Sequence, residues 1–509
     1  MSGIKQLAGE TVWYGISNIG KKMLYVLLTP LLTYLLHDEK GLVDFGNITL
    51  LFSWTAVANI IFTYGMETAY FRFSNLPDIA QKRLFNTSLS SIVVTTTLLC
   101  LILCMFRYPI AQFLGLHGHT EYIIWVSVLI GLDTLSAIPF ARLRQEGRPK
   151  KYAFINLFSI FCNIVFVILF VGLLPRWANT HHGNAFAHWY LSKDNTGFVV
   201  LGNVFENIVI VLLLASEWKM FRFTIDFHLL KRLLHYGTPM LMIGLAGIVN
   251  EVMDRTFLYK WLPYTPDINK RVIAIYSANY RIAIFISLFV QAFRMAAEPF
   301  FFNQSKNKNA PLLYARIMKW FVITLAIAFL FTALFLDVWE HVIIQSSAYR
   351  TGSNVVPVLL LANICLGVYY NLTIWYKLTN KMIAGLYITL TGSAITIVIN
   401  YLFIPRYGMY ASAWATFCSY FTIMIVCYLS GQKYFPVPYN IKKIVAYWAT
   451  MLLLYLISAV VTHFTANLFV KVLLGILLMC CFVLLVLRAE RKELHAIPIV
   501  GKYVRKLFY

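Results

Sequence analysis

The sequence predicts an all-α polytopic membrane protein with about 14 transmembrane helices. Two observations concern composition: 60% of the 509 residues are hydrophobic and only 13% are charged. A soluble protein carries about 25% charged residues, so this chain has roughly half the charge that a water-exposed surface needs. The third observation is a series of apolar runs, each near the about 20 residues that cross a bilayer. A soluble enzyme, a disordered chain and a disulfide-stapled secreted domain are therefore excluded.

The predicted spans follow one another along the whole chain, joined by short connections. They cover about residues 12–36, 44–72, 86–107, 121–143, 152–175, 195–216, 238–260, 273–297, 314–336, 353–376, 382–403, 408–430, 444–463 and 467–488. Membrane β-strands would be about ten residues long with alternating polarity, whereas these runs are longer and uniformly apolar. The first span also lacks the layout of a cleaved signal peptide. We therefore expect a bundle of helices in which the first span is retained.

Lysine and arginine predict the orientation of this bundle. Of the 43 basic residues, about 28 fall on one side and about 10 on the other, and loops rich in positive charge stay in the cytoplasm. The basic segments 141–152, 219–237, 305–319 and 488–509 are thus expected inside the cell, with both termini. The net charge of +22 is mainly an orientation signal. Its scatter over short loops argues against nucleic-acid binding.

A weak internal repeat divides the predicted bundle. Residues 13–15 (WYG) open the first span and residues 235–237 (HYG) open the seventh. An offset of six spans, being even, predicts two parallel six-helix lobes related by pseudo-symmetry. We expect an N-lobe at 1–216, a C-lobe at 217–430, two further helices at 431–488 and a basic cytoplasmic tail at 489–509.

Several ionisable residues lie inside apolar spans, where each charge costs about 2.5–3.5 kcal/mol if it faces lipid. The cations are Lys21, Lys22, Arg255, Arg281 and Arg294. The acidic and polar residues of the spans and their edges include Asn18, Glu67, Asp133, Glu206, Glu251, Asp254, Gln291 and Glu298. This cost predicts that they face the bundle interior, pair with one another or line water. Glu251 and Arg255, four residues apart, have the spacing of a helical ion pair.

Lys21, Lys22 and Arg281 have no acidic residue close to them in the sequence. They are therefore the strongest candidates to bind an anionic ligand across the membrane. The alternative is that the buried cations form structural pairs or extend to a membrane interface.

No sequence motif indicates catalysis. Residues 15–22 (GISNIGKK) approach a P-loop, but Lys22 replaces the Mg²⁺-binding Ser or Thr and no strand precedes the motif. His181, His182 and His188 share an outer loop without the spacing of a zinc site. The sequence therefore predicts a non-enzymatic protein, without an ATPase or hydrolase motif and without a metal or organic cofactor.

Five segments resemble the multidrug/oligosaccharidyl-lipid/polysaccharide exporter superfamily, in its polysaccharide transporter branch. They are YGMETAYFRF (64–73), AIPFARLRQEGRPKKYAFINL (137–157), HYGTPMLMIGLAGIVNEVMDR (235–255), IYSANYRIAIFISLFVQAFRMAAEPFFF (275–302) and NYLFIPRYGMYASAWAT (400–416). The resemblance implies a Wzx-type flippase of the bacterial inner membrane, functional as a monomer. Such a protein moves undecaprenyl-pyrophosphate-linked repeat units of O-antigen, capsule or exopolysaccharide to the periplasmic leaflet by alternating access.

The resemblance also implies roles for the buried polar residues. The cations Lys21, Lys22, Arg255 and Arg281 would contact the pyrophosphate, with Arg294 as a further cavity cation. Cavity-lining or ion-coupling roles would fall to Asn18, Glu67, Glu206, Glu251, Asp254 and Gln291. Coupling to H⁺, to Na⁺ or to the membrane potential stays open. The implied partners are the lipid bilayer, the lipid-linked oligosaccharide and other polysaccharide assembly proteins.

Two other functions stay open at this point. A cation-coupled multidrug exporter of the same superfamily would share the scaffold, but its cavity is expected to be acidic. An intramembrane polysaccharide polymerase or ligase usually carries one large outer loop, which this sequence does not show.

Overall fold

The computed structural model describes residues 28–495 except 75, 78, 117, 182, 183, 192, 306, 308, 380 and 466, together with residues 20, 23 and 26. Within that part, 13 helices are long and apolar enough to cross a membrane. In chain order the helices are α1 (28–35), α2 (Glu39–Thr63), α3 (Gln81–Met105), α4 (Glu121–Gln145), α5 (Pro149–Thr180), α6 (Asn195–Leu213), α7 (Phe227–Trp261), α8 (Pro266–Gln304), α9 (Ala310–Ala333), α10 (Ser347–Leu378), α11 (Met382–Tyr407), α12 (Met409–Tyr434), α13 (Ile441–His463) and α14 (Leu468–Ala489).

This architecture confirms the predicted fold class. Each predicted span from the second to the fourteenth overlaps one of the 13 span-long helices, and α1 lies in the first. Shorter helices lie between them at Met66–Ser74, Arg107–Phe113, Ala185–Leu191, Ala215–Trp218 and Leu336–Ile343, and one follows the last of them at Arg491–His495. The chain is therefore a multi-pass helical membrane protein, and a total of about 14 membrane helices is consistent with it.

Polar side chains mark where several of these helices begin. Asp38 accepts a hydrogen bond from the Gly41 amide at 2.9 Å and starts α2, and Asp226 accepts one from the Leu229 amide at 3.1 Å at the start of α7. Asn467 does the same for Phe469 at 2.9 Å before α14. Such side chains satisfy amide groups that have no partner within the first turn.

The predicted second span is broken by a turn. Tyr64 and Gly65, with φ of 33° and 74°, end α2 before the helix Met66–Ser74 begins. A Cβ added to Gly65 would lie 2.4 Å from the carbonyl oxygen of Gly237 in α7. The two main chains therefore touch directly, and glycine is required at position 65 both by the left-handed backbone and by this contact.

The chain divides into two compact units. Unit 1 comprises Met1–Ala278, Ile343–Thr351 and Met382–Ser419, and unit 2 comprises Asn279–Val342, Gly352–Lys381 and Tyr420–Tyr509. In unit 1, Met66, Tyr70 and Leu233 belong to one buried cluster. In unit 2, Phe301, Tyr314 and Val437 belong to another. The predicted lobes at 1–216 and 217–430, and their internal symmetry, stay predictions.

Candidate functional site

The first part of the predicted site lies outside the described residues. Asn18, Lys21 and Lys22 belong to this group, so their predicted roles stay predictions. The other candidates fall into the two units, and each unit is described by itself.

In unit 1, Arg255 is a buried cation with a carboxylate of its own. Its guanidinium donates to Asp254 Oδ1 at 2.6 Å, and the hydroxyl of Tyr276 donates to Asp254 Oδ2 at 2.7 Å. Arg255 is 7% exposed, Asp254 2% and Tyr276 0%. The guanidinium also lies 5.4 Å from the centroid of the Tyr276 ring. This arrangement offsets the cost of burying the charge and makes Arg255 part of a buried ion pair.

The predicted ion pair between Glu251 and Arg255 is wrong in its acidic partner. Arg255 Nη1 donates to the main-chain carbonyl of Glu251 at 2.8 Å, while the Glu251 side chain is exposed. The arginine side chain leans back toward the preceding turn of α7, as helical side chains do. It therefore meets a carbonyl there and the carboxylate of its direct neighbour Asp254.

A layer of neutral polar groups lies one turn before this pair. Asn250 Oδ1 accepts from Thr396 at 2.7 Å and from Ser419 at 3.2 Å, and Ser393 donates to the Ala246 carbonyl at 2.6 Å. All of these side chains are buried. They join α7, α11 and α12 by hydrogen bonds within unit 1. The sequence prediction missed them because it selected residues by the free energy of burying a charge, and Asn, Ser and Thr carry no charge.

Glu206 and Asp133 are acids inside spans of unit 1 that are hydrogen-bonded to amides. Asn163 of α5 donates to Glu206 Oε2 at 2.7 Å, and Asn59 of α2 donates to the Asp133 carboxylate. Glu206 is buried. Both acids therefore join neighbouring helices, and the predicted coupling or cavity role of Glu206 stays a prediction.

Glu67 meets the basic segment 141–152 at its start, where Arg144 lies in the last turn of α4. Its carboxylate forms an ion pair with Arg144. In the same segment, Arg148 and Lys151 both bond Glu217 Oε1, at 2.8 and 2.9 Å. Burial opposes ionisation of Glu217, but the hydrogen bond from Lys151 and the charge of Arg148 lower its pKa below the usual value. The segment 141–152 is thus an ordered ion network, and a coupling role for Glu67 stays a prediction.

In unit 2, Arg281 and Gln291 are half-buried and Arg294 is exposed. The guanidinium of Arg294 stacks over Tyr370, 4.6 Å from the ring centroid. Arg294 also lines a pocket between α8 and α10, together with Asn371 and Lys377. Lys377 is a basic residue that the sequence prediction did not single out, because it lies at the end of a span among loop charges.

No metal site emerges from the part of the chain that the structure describes. Among those residues, no group of three or more His, Cys, Asp or Glu is placed to hold an ion. His182 of the outer loop lies outside the described residues. The cations, by contrast, suit an anionic ligand, since guanidinium and ammonium groups are strong donors to phosphate oxygens.

Residues 7–305 match a family described as Polysaccharide biosynthesis protein. The chain belongs to this family. The match covers more than half of the chain and confirms the resemblance to the polysaccharide transporter branch. No curated protein shows significant similarity to it.

Solved structures share the fold over most of the chain. The lipid II flippase MurJ, in an inward closed conformation, superposes with a TM-score of 0.68 at 14% identity, covering 94% of this chain and 99% of its own. An inward-facing multidrug resistance MATE transporter of the MOP superfamily gives 0.58 at 13% identity, covering 82% and 94%. A MOP superfamily transporter from Pyrococcus furiosus gives 0.58 at 15% identity, covering 84% and 95%. At such identities the likeness establishes the fold.

Proposed function

We propose that this protein is a flippase for undecaprenyl-pyrophosphate-linked oligosaccharides. It moves them by alternating access from the cytoplasmic to the periplasmic leaflet of the bacterial inner membrane, where they feed O-antigen, capsule or exopolysaccharide synthesis. The observation that carries the proposal is the family match over residues 7–305 on a fold shared with a lipid II flippase. The working unit is a monomer with both termini in the cytoplasm.

The charge of the substrate fits this direction of transport. A pyrophosphate diester bears about two negative charges, and an inside-negative potential favours its outward passage by about 2.3 kcal/mol per charge per 100 mV. Arg281 and Arg294, with Lys21 and Lys22, would offset the loss of headgroup hydration during passage. The membrane potential is therefore a sufficient driving force without ATP.

Arg255 takes a different role in this proposal. Because Asp254 pairs with its guanidinium and the Tyr276 ring lies beside it, we propose that Arg255 forms an ion-coupling pair with Asp254 and does not bind the pyrophosphate. The carboxylate of this pair belongs to Asp254, and the Arg255 guanidinium donates to its Oδ1 at 2.6 Å. Coupling to H⁺ or Na⁺ would act on this carboxylate.

A multidrug exporter is the second candidate, favoured by the fold shared with MATE transporters. Electrostatic complementarity favours an acidic cavity for cationic drugs. The described lining of the pocket beside Arg294 contains two cations and no acid, which favours an anionic cargo.

The proposal is tested in proteoliposomes with a fluorescent undecaprenyl-pyrophosphate oligosaccharide. Outward movement of the label should exceed that in protein-free vesicles and should increase when the potential is inside-negative. Translocation no faster than in empty vesicles would contradict the proposal. Transport of ethidium on a pH gradient in the same vesicles would support the exporter instead.

A further inference from the structure

A pocket in unit 2 lies between the ends of α8 and α10 that are predicted to face the cytoplasm. Its polar lining consists of Arg294, Tyr370, Asn371, Thr373 and Lys377. The described residues that line it include two cations and no carboxylate. The stacking of Arg294 on Tyr370, at 4.6 Å, holds the guanidinium at the pocket wall, as cation–π contacts do. The lining therefore has the charge expected for a bound anion.

Asn371 points to a ligand independently of these charges. It is 4% exposed, and within the described part of the chain neither its Nδ2 nor its Oδ1 has a hydrogen-bond partner. Buried amide groups are almost always paired in native proteins. Asn363, eight residues earlier on the same helix, donates to the Ala283 carbonyl at 3.1 Å. Asn371 is thus an exception on its own helix, and it is one of the residues that line the cationic pocket.

The helix is interrupted beside this asparagine. The first part of α10 ends at Leu372, Thr373 separates it from the short helix Ile374–Leu378, and the Thr373 hydroxyl bonds the Tyr370 carbonyl at 2.7 Å. Asn371 and Lys377, one on each side of the break, both line the pocket. An amide, an ammonium and a guanidinium together offer several donors to the oxygens of one phosphoryl group.

We propose that this pocket binds the phosphoryl headgroup of an anionic lipid at the cytoplasmic side of the membrane. Arg294, Lys377 and the Asn371 amide donate to the phosphate oxygens, and Asn371 Oδ1 accepts from a hydroxyl of the same headgroup. The inference deepens the proposed function and rests on it for the predicted orientation. Two lipids carry this chemistry: the pyrophosphate-linked sugar itself, and a phospholipid such as phosphatidylglycerol.

The test uses the full chain in detergent, with sodium pyrophosphate as the first probe. Lys377→Gln and Asn371→Leu should each weaken pyrophosphate binding roughly tenfold or more, which corresponds to one lost charge-assisted hydrogen bond. Lys381→Gln is the matched control, because Lys381 lies over Tyr434 at 3.3 Å and outside the pocket lining. Equal affinities in both pocket variants and the wild type would overturn the proposal.

A second readout separates a ligand site from a structural role. Without pyrophosphate, Asn371→Leu should keep or raise the Tm, since it removes a buried polar group without a partner. Asn363→Leu should lower the Tm, because it breaks an existing hydrogen bond. A loss of Tm in Asn371→Leu as large as in Asn363→Leu would show that Asn371 serves packing, and would also overturn the proposal.

Native mass spectrometry on nanodiscs with phosphatidylglycerol or with undecaprenyl pyrophosphate identifies which of the two lipids supplies the headgroup. If the protein retains either lipid and Lys377→Gln reduces that retention, the result supports the pocket and identifies its ligand. If neither lipid is retained, the result contradicts the proposal. The proposed flippase activity is judged separately. If the protein translocates the lipid but Lys377→Gln binds pyrophosphate as tightly as the wild type, the pocket proposal is refuted and the flippase proposal stands. If the pocket binds pyrophosphate but the protein does not translocate the lipid, the flippase proposal is refuted and the pocket proposal stands.

Discussion

Lys319 of α9 and Glu490 at the end of α14 form a buried ion pair, with 2.6 Å between Nζ and Oε2. The other oxygen of Glu490 accepts from Lys443 at 2.7 Å and from the Tyr447 hydroxyl at 2.6 Å. Lys319 also contacts Glu493 at 2.7 Å. All of these groups belong to unit 2, so the cluster fastens α13, α14 and the residues after them to α9.

Replacing Lys319 with Met should destabilise unit 2 markedly. The change leaves Glu490 buried with fewer positive partners, and removing one member of a buried pair costs about 3 kcal/mol or more. Thermal unfolding of the purified protein in detergent measures the loss. Lys442→Met, on an exposed lysine of α13, is the control and should unfold like the wild type. A Tm of Lys319→Met equal to that of the control would rule out this role.

The same cluster should make stability depend on pH. Burial alone would raise the pKa of Glu490, but hydrogen bonds from Lys319, Lys443 and Tyr447 hold it below the usual 4.5. A carboxylate with a lowered folded-state pKa contributes its full stability above its unfolded pKa and loses it as the pH falls through the folded value. The Tm should therefore drop below about pH 4.5 more steeply in the wild type than in Glu490→Gln. Parallel curves for the two proteins would contradict this.

Gly65→Ala should impair folding, because Gly65 has a φ of 74° and a Cβ there would lie 2.4 Å from the Gly237 carbonyl oxygen. The left-handed backbone alone costs an alanine about 1–2 kcal/mol. Gly247→Ala in α7 is the matched control, since a Cβ there meets nothing within 4 Å. It should be neutral or slightly stabilising, because alanine favours a helix. The yield of folded protein and its Tm decide between the two outcomes.

The pair Asp254–Arg255 should behave as one unit in a double-mutant cycle. Arg255→Leu leaves a buried carboxylate without its partner, and Asp254→Leu leaves a buried guanidinium without its partner. Each single variant should therefore lose more stability than the double variant that carries both changes. The Tm values of the two singles, the double variant and the wild type provide the measurement. Additive losses would mean that the 2.6 Å contact has no energetic weight.

Arg281→Ala should abolish most translocation while leaving the protein folded, because the proposal gives Arg281 a pyrophosphate-binding role. Arg281→Lys should retain part of the rate if charge alone matters, and little if the planar guanidinium is needed. Proteoliposome translocation and the Tm are compared in parallel. Translocation by Arg281→Ala at the wild-type rate would remove Arg281 from the proposed site.

The fold class was predictable because it depends on composition and on run length, which the sequence displays directly. The partners of buried charges were not. The sequence places Lys319 among the loop charges of 305–319, yet it is buried against Glu490, 171 residues away. Glu206 and Asn163 lie 43 residues apart. Such pairs depend on how each helix is rotated against its neighbours, and sequence spacing carries that information only within one helix, as for Arg255. Even there, the direction of the side chain selected Asp254 over Glu251.

The contact between Gly65 and Gly237 is made by peptide groups alone. No side-chain rotamer can adjust at this contact, so the distance between the two main chains leaves no room for an added methyl group. In related chains, the residues at positions 65 and 237 should therefore vary together. A larger residue at one position would require the main chain at the other position to move.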